Sequence, residues 1–391
     1  MDKINKGPLV FLISLALLLP GCWNQTEIDH LAIITAAGLD LTKDHDIHLS
    51  VEVVIPKNVL LGSSGSSGGS GSGQPRLVRS ASGQTLNDAI THLQRKVPRE
   101  LFWGQMKVVV IGKALAQKGI REQMDYFSRQ SEARLDIYPF VSSGKAIDIL
   151  SMGPKLENNV ATLLQNEFNQ RMSQKSTINE VLQTLAGEGK DTMMPLVEPN
   201  SKEKIPYISG KAIFSEGKLK GVSKGDVFKG IIWISNEIQP ASLKVRIPGK
   251  KGGYVSMDLI RTNSYVVPKI QNGKWTTTIH IESADDLVQN ATKLDVSQPK
   301  VIHQIEKAGE KKVRLFAHKA LQKIQKKWKA DTFGFGEAFH KKYPKQWRAH
   351  KKEWKKIYPN MKVKLDVHLI VKRSGLNNGP AGLPKGRVKE K

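Results

Sequence analysis

The chain has 391 residues, is 39% hydrophobic and 25% charged, and carries a formal net charge of +25. That hydrophobic content suits a folded protein rather than a disordered one, and the length exceeds a single domain of roughly 100–200 residues, so two or three are expected. The single cysteine excludes an intrachain disulfide and any zinc site built on paired cysteines. The charge is uneven: residues 300–391 hold 26 Lys and Arg against 7 Asp and Glu, which is +19 of the total. Such a surface draws polyanions, whether nucleic acid, anionic lipid or wall polymer.

The N-terminus narrows that choice. Lys3 and Lys6 precede an apolar run from Leu9 to Leu19, interrupted only by Ser14. Crossing a bilayer takes about 20 apolar residues, so this run is short, and Pro20-Gly21 ends it. Residues 1–21 have the layout of a secretory signal peptide. An exported chain excludes nucleic acid as a partner. Leu19-Pro20-Gly21-Cys22 resembles the bacterial lipobox, in which a small residue precedes the cysteine at the cleavage point. The resemblance implies that Cys22 becomes the first residue of the mature chain and carries a thioether-linked diacylglycerol. Each buried CH₂ contributes about 0.8 kcal/mol, and two acyl chains hold stably where one does not. The competing reading is a buried free cysteine, the usual state of that residue; the position directly after an apolar run argues against it.

Beyond Cys22, Leu31–Leu39 is apolar. From Ile47 to Ile55, apolar residues at alternate positions predict a strand with one face buried. Gly62–Gly73, GSSGSSGGSGSG, cannot bury apolar area and reads as a flexible surface loop, with a mobile flap over a ligand as the alternative. Leu86, Ala89, Ile90, Leu93 and Val97 recur at helical spacing. Lys107–Ile111 reads as a buried strand, followed by a helix to about Gly119 and another over Ile120–Arg134. Leu135–Val141 suits a strand and Ala146–Met152 a helix, with helices and loops to about Gly189. Strands and helices in alternation make residues 22–200 an N-terminal α/β domain carrying the 62–73 loop.

Residues 201–285 read as a mainly β middle domain of short strands with at most one short helix. Glu216-Gly217-Lys218, Lys250–Gly253 and Asn272-Gly273-Lys274 are turn signals, the last a hairpin signal. Residues 286–374 read as helices on a sheet. Val313, Phe316, Ala317, Leu321, Ile324 and Trp328 form an apolar stripe flanked by Lys311, Lys312, Lys319, Lys323, Lys326, Lys327 and Lys329. That basic face is either solvated or a surface for anionic lipid or a partner. A second helix starts near Pro344, turns Trp347, Trp354, Ile357 and Tyr358 inward and stops at Pro359. Val363–Val371 alternates as an edge strand, and 375–391 is a flexible basic tail. The fold class is therefore α+β: three dissimilar mixed domains after a signal peptide.

No catalytic motif stands in a catalytic context: neither HExxH, a P-loop nor GxGxxG occurs, and GxSxG occurs at Gly65–Gly69, inside the Gly/Ser run, and at Gly221–Gly225, behind Lys218-Leu219-Lys220 rather than the buried strand of a nucleophile elbow. His340 and His350 stand among lysines, a poor setting for a metal. Asp285, Asp286 and Glu157 read as surface acids. Phe333-Gly334-Phe335-Gly336 lacks the preceding strand and the Lys-Ser/Thr of a phosphate loop and reads as a tight helix-to-helix junction. No cofactor is expected.

Four stretches in order, GCWNQTEIDHLAIITAAGLD, FWGQMKVVVIG, GKAIFSEGKLKG and ADTFGFGEAFHKKYPKQW, resemble the C-subunit lipoproteins of spore germinant receptors from endospore-forming bacteria. The block Asp331–Pro344 is the most specific. The chain departs from the pattern at Asn24, where acids are common, and at Gln105, where His is common. The resemblance implies three unlike α+β domains, no enzymatic activity, and a lipoprotein on the outer face of the spore inner membrane. It implies a complex with a multi-pass A subunit and a transporter-like B subunit that responds to nutrients. It supplies no ligand-contact residues, so Cys22 is the one site residue named. The alternative is a lipid-anchored solute-binding protein serving a transporter, which requires a cleft between two similar lobes.

Overall fold

The computed structural model describes residues 30–54, 76–130, 136–153, 157–172, 176–187, 191–237, 242–247 and 253–373. Cys22, the Gly/Ser stretch at 62–73 and the tail at 375–391 lie outside these residues, as does most of the Lys250–Gly253 turn.

Nine strands form the first sheet. They are β1 (Leu31–Leu41), β2 (Ile47–Val54), β3 (Arg76–Gly83), β4 (Glu100–Phe102), β5 (Val108–Ile111), β6 (Tyr138–Ser142), β7 (Asp191–Asn200), β8 (Ile205–Ser215) and β9 (Lys218–Lys224). Their order is β3-β2-β1-β5-β6-β7-β8-β9, with the short β4 also on β1. The β1, β5, β6 and β7 pairings are parallel, and hairpins extend the sheet at both sides. A parallel centre requires helices on both faces, and they are present. One face packs Leu49, Val51, Val109 and Phe214 against α1 (Leu86–Lys96), α2 (Lys113–Lys118), α3 (Arg121–Arg129) and α6 (Ile178–Ala186). The other packs Val108, Val110 and Phe140 against α4 (Ala146–Leu150) and α5 (Val160–Arg171).

This layering corrects the expectation for β2. Its second face is also buried, and Ser50 and Glu52 are fully inaccessible there. Alternation marked the apolar face, but the polar positions were covered by α4 and α5 rather than by water. Strand β7 was not expected, because Pro195 and Pro199 interrupt it; its ladder with β8 runs from Asp191↔Ser215 to Asn200↔Ile205 regardless.

The second sheet is β10 (Ser242–Arg246), β11 (Tyr254–Gln271), β12 (Lys274–Asn290) and β13 (Lys362–Arg373), in that order. The Asn272-Gly273 hairpin forms as expected, with φ of 50° and 71°. One face carries α7 (Gly225–Ile234) and α8 (Pro299–Leu321), which continues as a π-helical turn at Gln322–Trp328. Three short helices follow: α9 (Phe335–Lys342), α10 (Pro344–His350) and α11 (Trp354–Asn360).

The mainly β middle domain expected at 201–285 is not a sheet of its own. Strands β8 and β9 complete the first sheet, while β11 and β12 build the second with β13. Turn signals locate hairpins without saying which sheet edge each will join. The strands are also longer than expected, 18 residues in β11 and 17 in β12. The two sheets share packing: Ile213 of β8 belongs to the core of the second sheet.

Candidate functional site

The block Asp331–Pro344 sits at the junction of the two sheets. The π-helical turn ends at Lys329 in the left-handed conformation, φ 53°, which redirects the chain and delivers Asp331 inward. Asp331 is 5% exposed. Its Oδ1 accepts from the Phe335 amide at 2.9 Å, and its Oδ2 accepts from the Gly336 amide at 2.6 Å and from Trp354 Nε1 at 3.0 Å. One carboxylate thus holds the first turn of α9 and one indole of α11. A helix N-terminus favours an acceptor with negative charge, because its first amides lack partners.

The two glycines of the block have distinct reasons. Gly334 caps α9 at φ 71°, a conformation costly for residues with a Cβ. At Gly336 a Cβ would stand 2.9 Å from Trp347 and 3.1 Å from both Asp331 Oδ2 and Trp354 Nε1. Around them Phe335, Phe339, Trp347 and Tyr358 are almost fully buried. Tyr358 Oη donates to the carbonyl of Ala330 at 2.9 Å, and Gln325 Nε2 donates to the carbonyls of Tyr358 and Met361, each at 2.8 Å. The expected helix-to-helix junction at Phe333–Gly336 is present, and the expected inward Trp347, Trp354 and Tyr358 are buried, with Ile357 half-buried.

The junction reaches the first sheet through its backbone. The Asp331 amide donates to Asp191 Oδ2, at the start of β7, at 2.6 Å. Two carboxyls are thereby buried together. Burial raises Asp331 to about 6; its amide and indole donors oppose this and the nearby Asp191 adds to it. Burial likewise raises Asp191, against hydrogen bonds from Ser215, Asp331 and Glu216. Beside the pair lies a polar cavity of about 160 Å³ lined by Asp191, Thr192, Lys211, Glu237 and Thr332. Lys211 Nζ and Glu237 form an ion pair in its wall with side chains 8% and 3% exposed. Lys355 and Glu216 add an exposed ion pair between α11 and the β8–β9 turn.

Other sequence-singled residues are dispersed. Cys22 lies outside the described residues. Asp285 is not a surface acid: it is fully buried on β12, takes a 2.5 Å hydrogen bond from Ser283 Oγ, and burial raises it to about 6, with Asp286 contributing. His340 stacks on Trp347, and His350 lies edge-on to Trp275. Among the described residues no group of three or more His, Cys, Asp or Glu is arranged to hold a metal ion. Part of the lysine face of α8 serves the fold: Lys319 pairs with Asp226 at 2.6 Å, and Lys326 donates to the Pro359 carbonyl at 2.7 Å. Reading from sequence missed Asp191, Lys211 and Glu237. For Asp331 a signal existed, an acid just ahead of a Gly-capped helix.

Residues 24–199 match the family described as "Spore germination protein N-terminal domain", and residues 209–375 match "Spore germination B3/ GerAC like, C-terminal". The interval between the matches falls at the β7–β8 turn, inside the first sheet. "Spore germination protein KC" of Bacillus subtilis (strain 168) is 31% identical, over 96% of this chain and 98% of that protein. "Spore germination protein B3" of the same organism is 23% identical, over 98% and 100%. A crystal structure of the GerBC protein aligns with a TM-score of 0.59 at 18% identity, over 86% of this chain and 96% of that one, which shows a shared α+β fold.

Proposed function

We propose, from the premise that the chain belongs to the GerAC-like family of spore germination proteins, that it is the lipid-anchored C-type subunit of a nutrient germinant receptor. The carrying observation is that both family matches and the full-length relatives run through nearly the whole chain. In this reading Cys22 bears diacylglycerol, and the protein sits on the outer face of the spore inner membrane beside a multi-pass A subunit and a transporter-like B subunit. It acts by contact, without catalysis. No helix among the described residues is long and apolar enough to cross a membrane, which is compatible with anchoring through Cys22. His30, where the described fold begins, lies eight residue steps after Cys22, and an extended chain rises at most about 3.6 Å per residue. The start of β1 therefore stays within about 30 Å of the bilayer surface.

A solute-binding protein would need a cleft between two similar lobes. Here a sheet covered by helices on both faces adjoins a four-stranded one with helices on one face, and shared packing at Ile213 joins them. Affinity purification of the tagged chain from spore membranes tests the proposal. Recovery of a multi-pass protein and a transporter-like protein supports it. Recovery of the chain alone, from spores that lose no nutrient response on its deletion, contradicts it.

A further inference from the structure

We propose that a trough between α8 and the two outer strands of the second sheet binds the headgroup and upper acyl region of an anionic phospholipid; this rests on the membrane-anchored reading above. The trough, about 790 Å³, is the product of an unusual placement of α8. Lys312 Nζ donates to the carbonyl of Lys244 on β10, and Arg314 Nη1 donates to the carbonyl of Leu365 on β13. Glu306 accepts from the amide of Val371, also on β13, at 3.0 Å. One helix thus covers backbone groups of both outer strands, β10 and β13, and leaves a channel beside itself.

The channel is amphipathic. Its apolar floor is Tyr254, Leu315, Val363 and Leu365, with Leu315 50% and Tyr254 40% exposed. Its rim is cationic, with Arg246, Lys311, Lys312 and Arg314, and among the described residues no Asp or Glu lines it. Lys244 Nζ lies 4.2 Å over the Tyr254 ring and thickens the same field. Burial and the neighbouring lysines Lys229 and Lys244 depress Lys312, although Asp226 opposes this, so the cations here crowd one another. A ligand that relieves that crowding is an anion. A ligand that covers the floor also has an apolar part continuous with the anion. Free phosphate lacks the second feature. An added peptide strand finds the Lys244 and Leu365 carbonyls already occupied by Lys312 and Arg314, which disfavours edge pairing. A phospholipid of an anionic leaflet has both features and is abundant beside an anchored protein.

The test uses the mature chain with Cys22→Ser, so that no acyl group contributes, in flotation with vesicles of phosphatidylcholine alone or mixed with phosphatidylglycerol. Binding is expected only with phosphatidylglycerol, and weaker at high salt. Arg246→Gln with Lys311→Gln should weaken it about 30-fold, the effect of removing two cations from an anionic surface. Leu315→Asp should abolish it, with melting curves unchanged. Lys345→Gln with Lys352→Gln, which removes the same charge outside the trough, should change it less than about threefold. Equal binding to phosphatidylcholine, equal loss in the two charge pairs, capture by an acidic peptide in place of vesicles, or full competition by soluble glycerol phosphate each overturns the proposal. Acylation of Cys22, read from the mass of the N-terminal peptide, is a separate result: its absence would sink the anchored reading and leave the vesicle result standing.

Discussion

Glu52 in the first sheet and Asp331 at the junction hold the same position in opposite electrostatic settings. Both are sealed from water and accept the first amides of a helix. Glu52 takes Val160 and Ala161 of α5 at 2.9 and 3.2 Å; Asp331 takes Phe335 and Gly336 of α9. Glu52 also has a counter-charge, Arg76 at 2.6 Å, and a hydroxyl donor in Thr35 at 2.9 Å. Asp331 has an indole and a second carboxyl, Asp191. A charge buried with its partner is a permanent fastening, whereas a charge buried beside its like is one whose strength depends on protonation. The first sheet is therefore built to stay closed, and the joint to the second sheet is built to respond to its surroundings.

Four substitutions or conditions probe that contrast in the mature chain, in decreasing order of effect. Glu52→Gln leaves the partly buried Arg76 without its counter-charge and the α5 amides with a weaker acceptor, and should cost about 3 kcal/mol in urea unfolding. A cost below about 1 kcal/mol would contradict a buried ion pair.

Next is pH itself. Asp331 titrates at about 6 folded and near its ordinary 3.8 unfolded, so between these values the folded state holds more protons. Stability then falls as pH rises from about 4 to about 6 and levels off above, with Asp331 contributing up to about 3 kcal/mol. Asp285, also at about 6, has the same sign. Thermal melting should rise steadily as pH falls from 7 to about 4, by about 5 °C or more. A peak at pH 7–8 would refute the uncompensated acids.

Asp331→Asn is the third. Losing one acceptor among three donors should cost about 1–2 kcal/mol at pH 5. At pH 7.5 the cost should shrink toward zero, because the variant also removes a desolvated charge, and the melting profile should flatten. An undiminished slope would place the titration elsewhere. The smallest effect is expected of Lys355→Ala: its pair with Glu216 is exposed on both sides and should contribute less than about 0.5 kcal/mol, vanishing at high salt.

Much of this architecture could be read along the chain, because local patterns carried it. The helical spacing of Leu86 to Leu93, the Asn272-Gly273 turn and the alternation of Val363 to Val371 each became the expected element. Sheet membership could not be read, since β8 and β9 carry the same hairpin signal whether they pair with β7 or with β11. The junction was half legible. Gly334 and Gly336 marked a tight turn, but Asp191 lies 140 residues from Asp331, and nothing local announces a backbone amide donated over that distance. Glu52 and Asp285 were hidden for a related reason: a polar residue in an alternating strand looks solvated until the covering helices are placed.

The receptor reading itself stands or falls on the cysteine. The direct measurement is germination of spores that carry Cys22→Ala in place of the native chain, with the inner-membrane content of the protein assayed in parallel. The account predicts that the protein leaves the membrane fraction and that the nutrient response falls to that of a deletion strain. Normal germination with the protein still membrane-bound would contradict it.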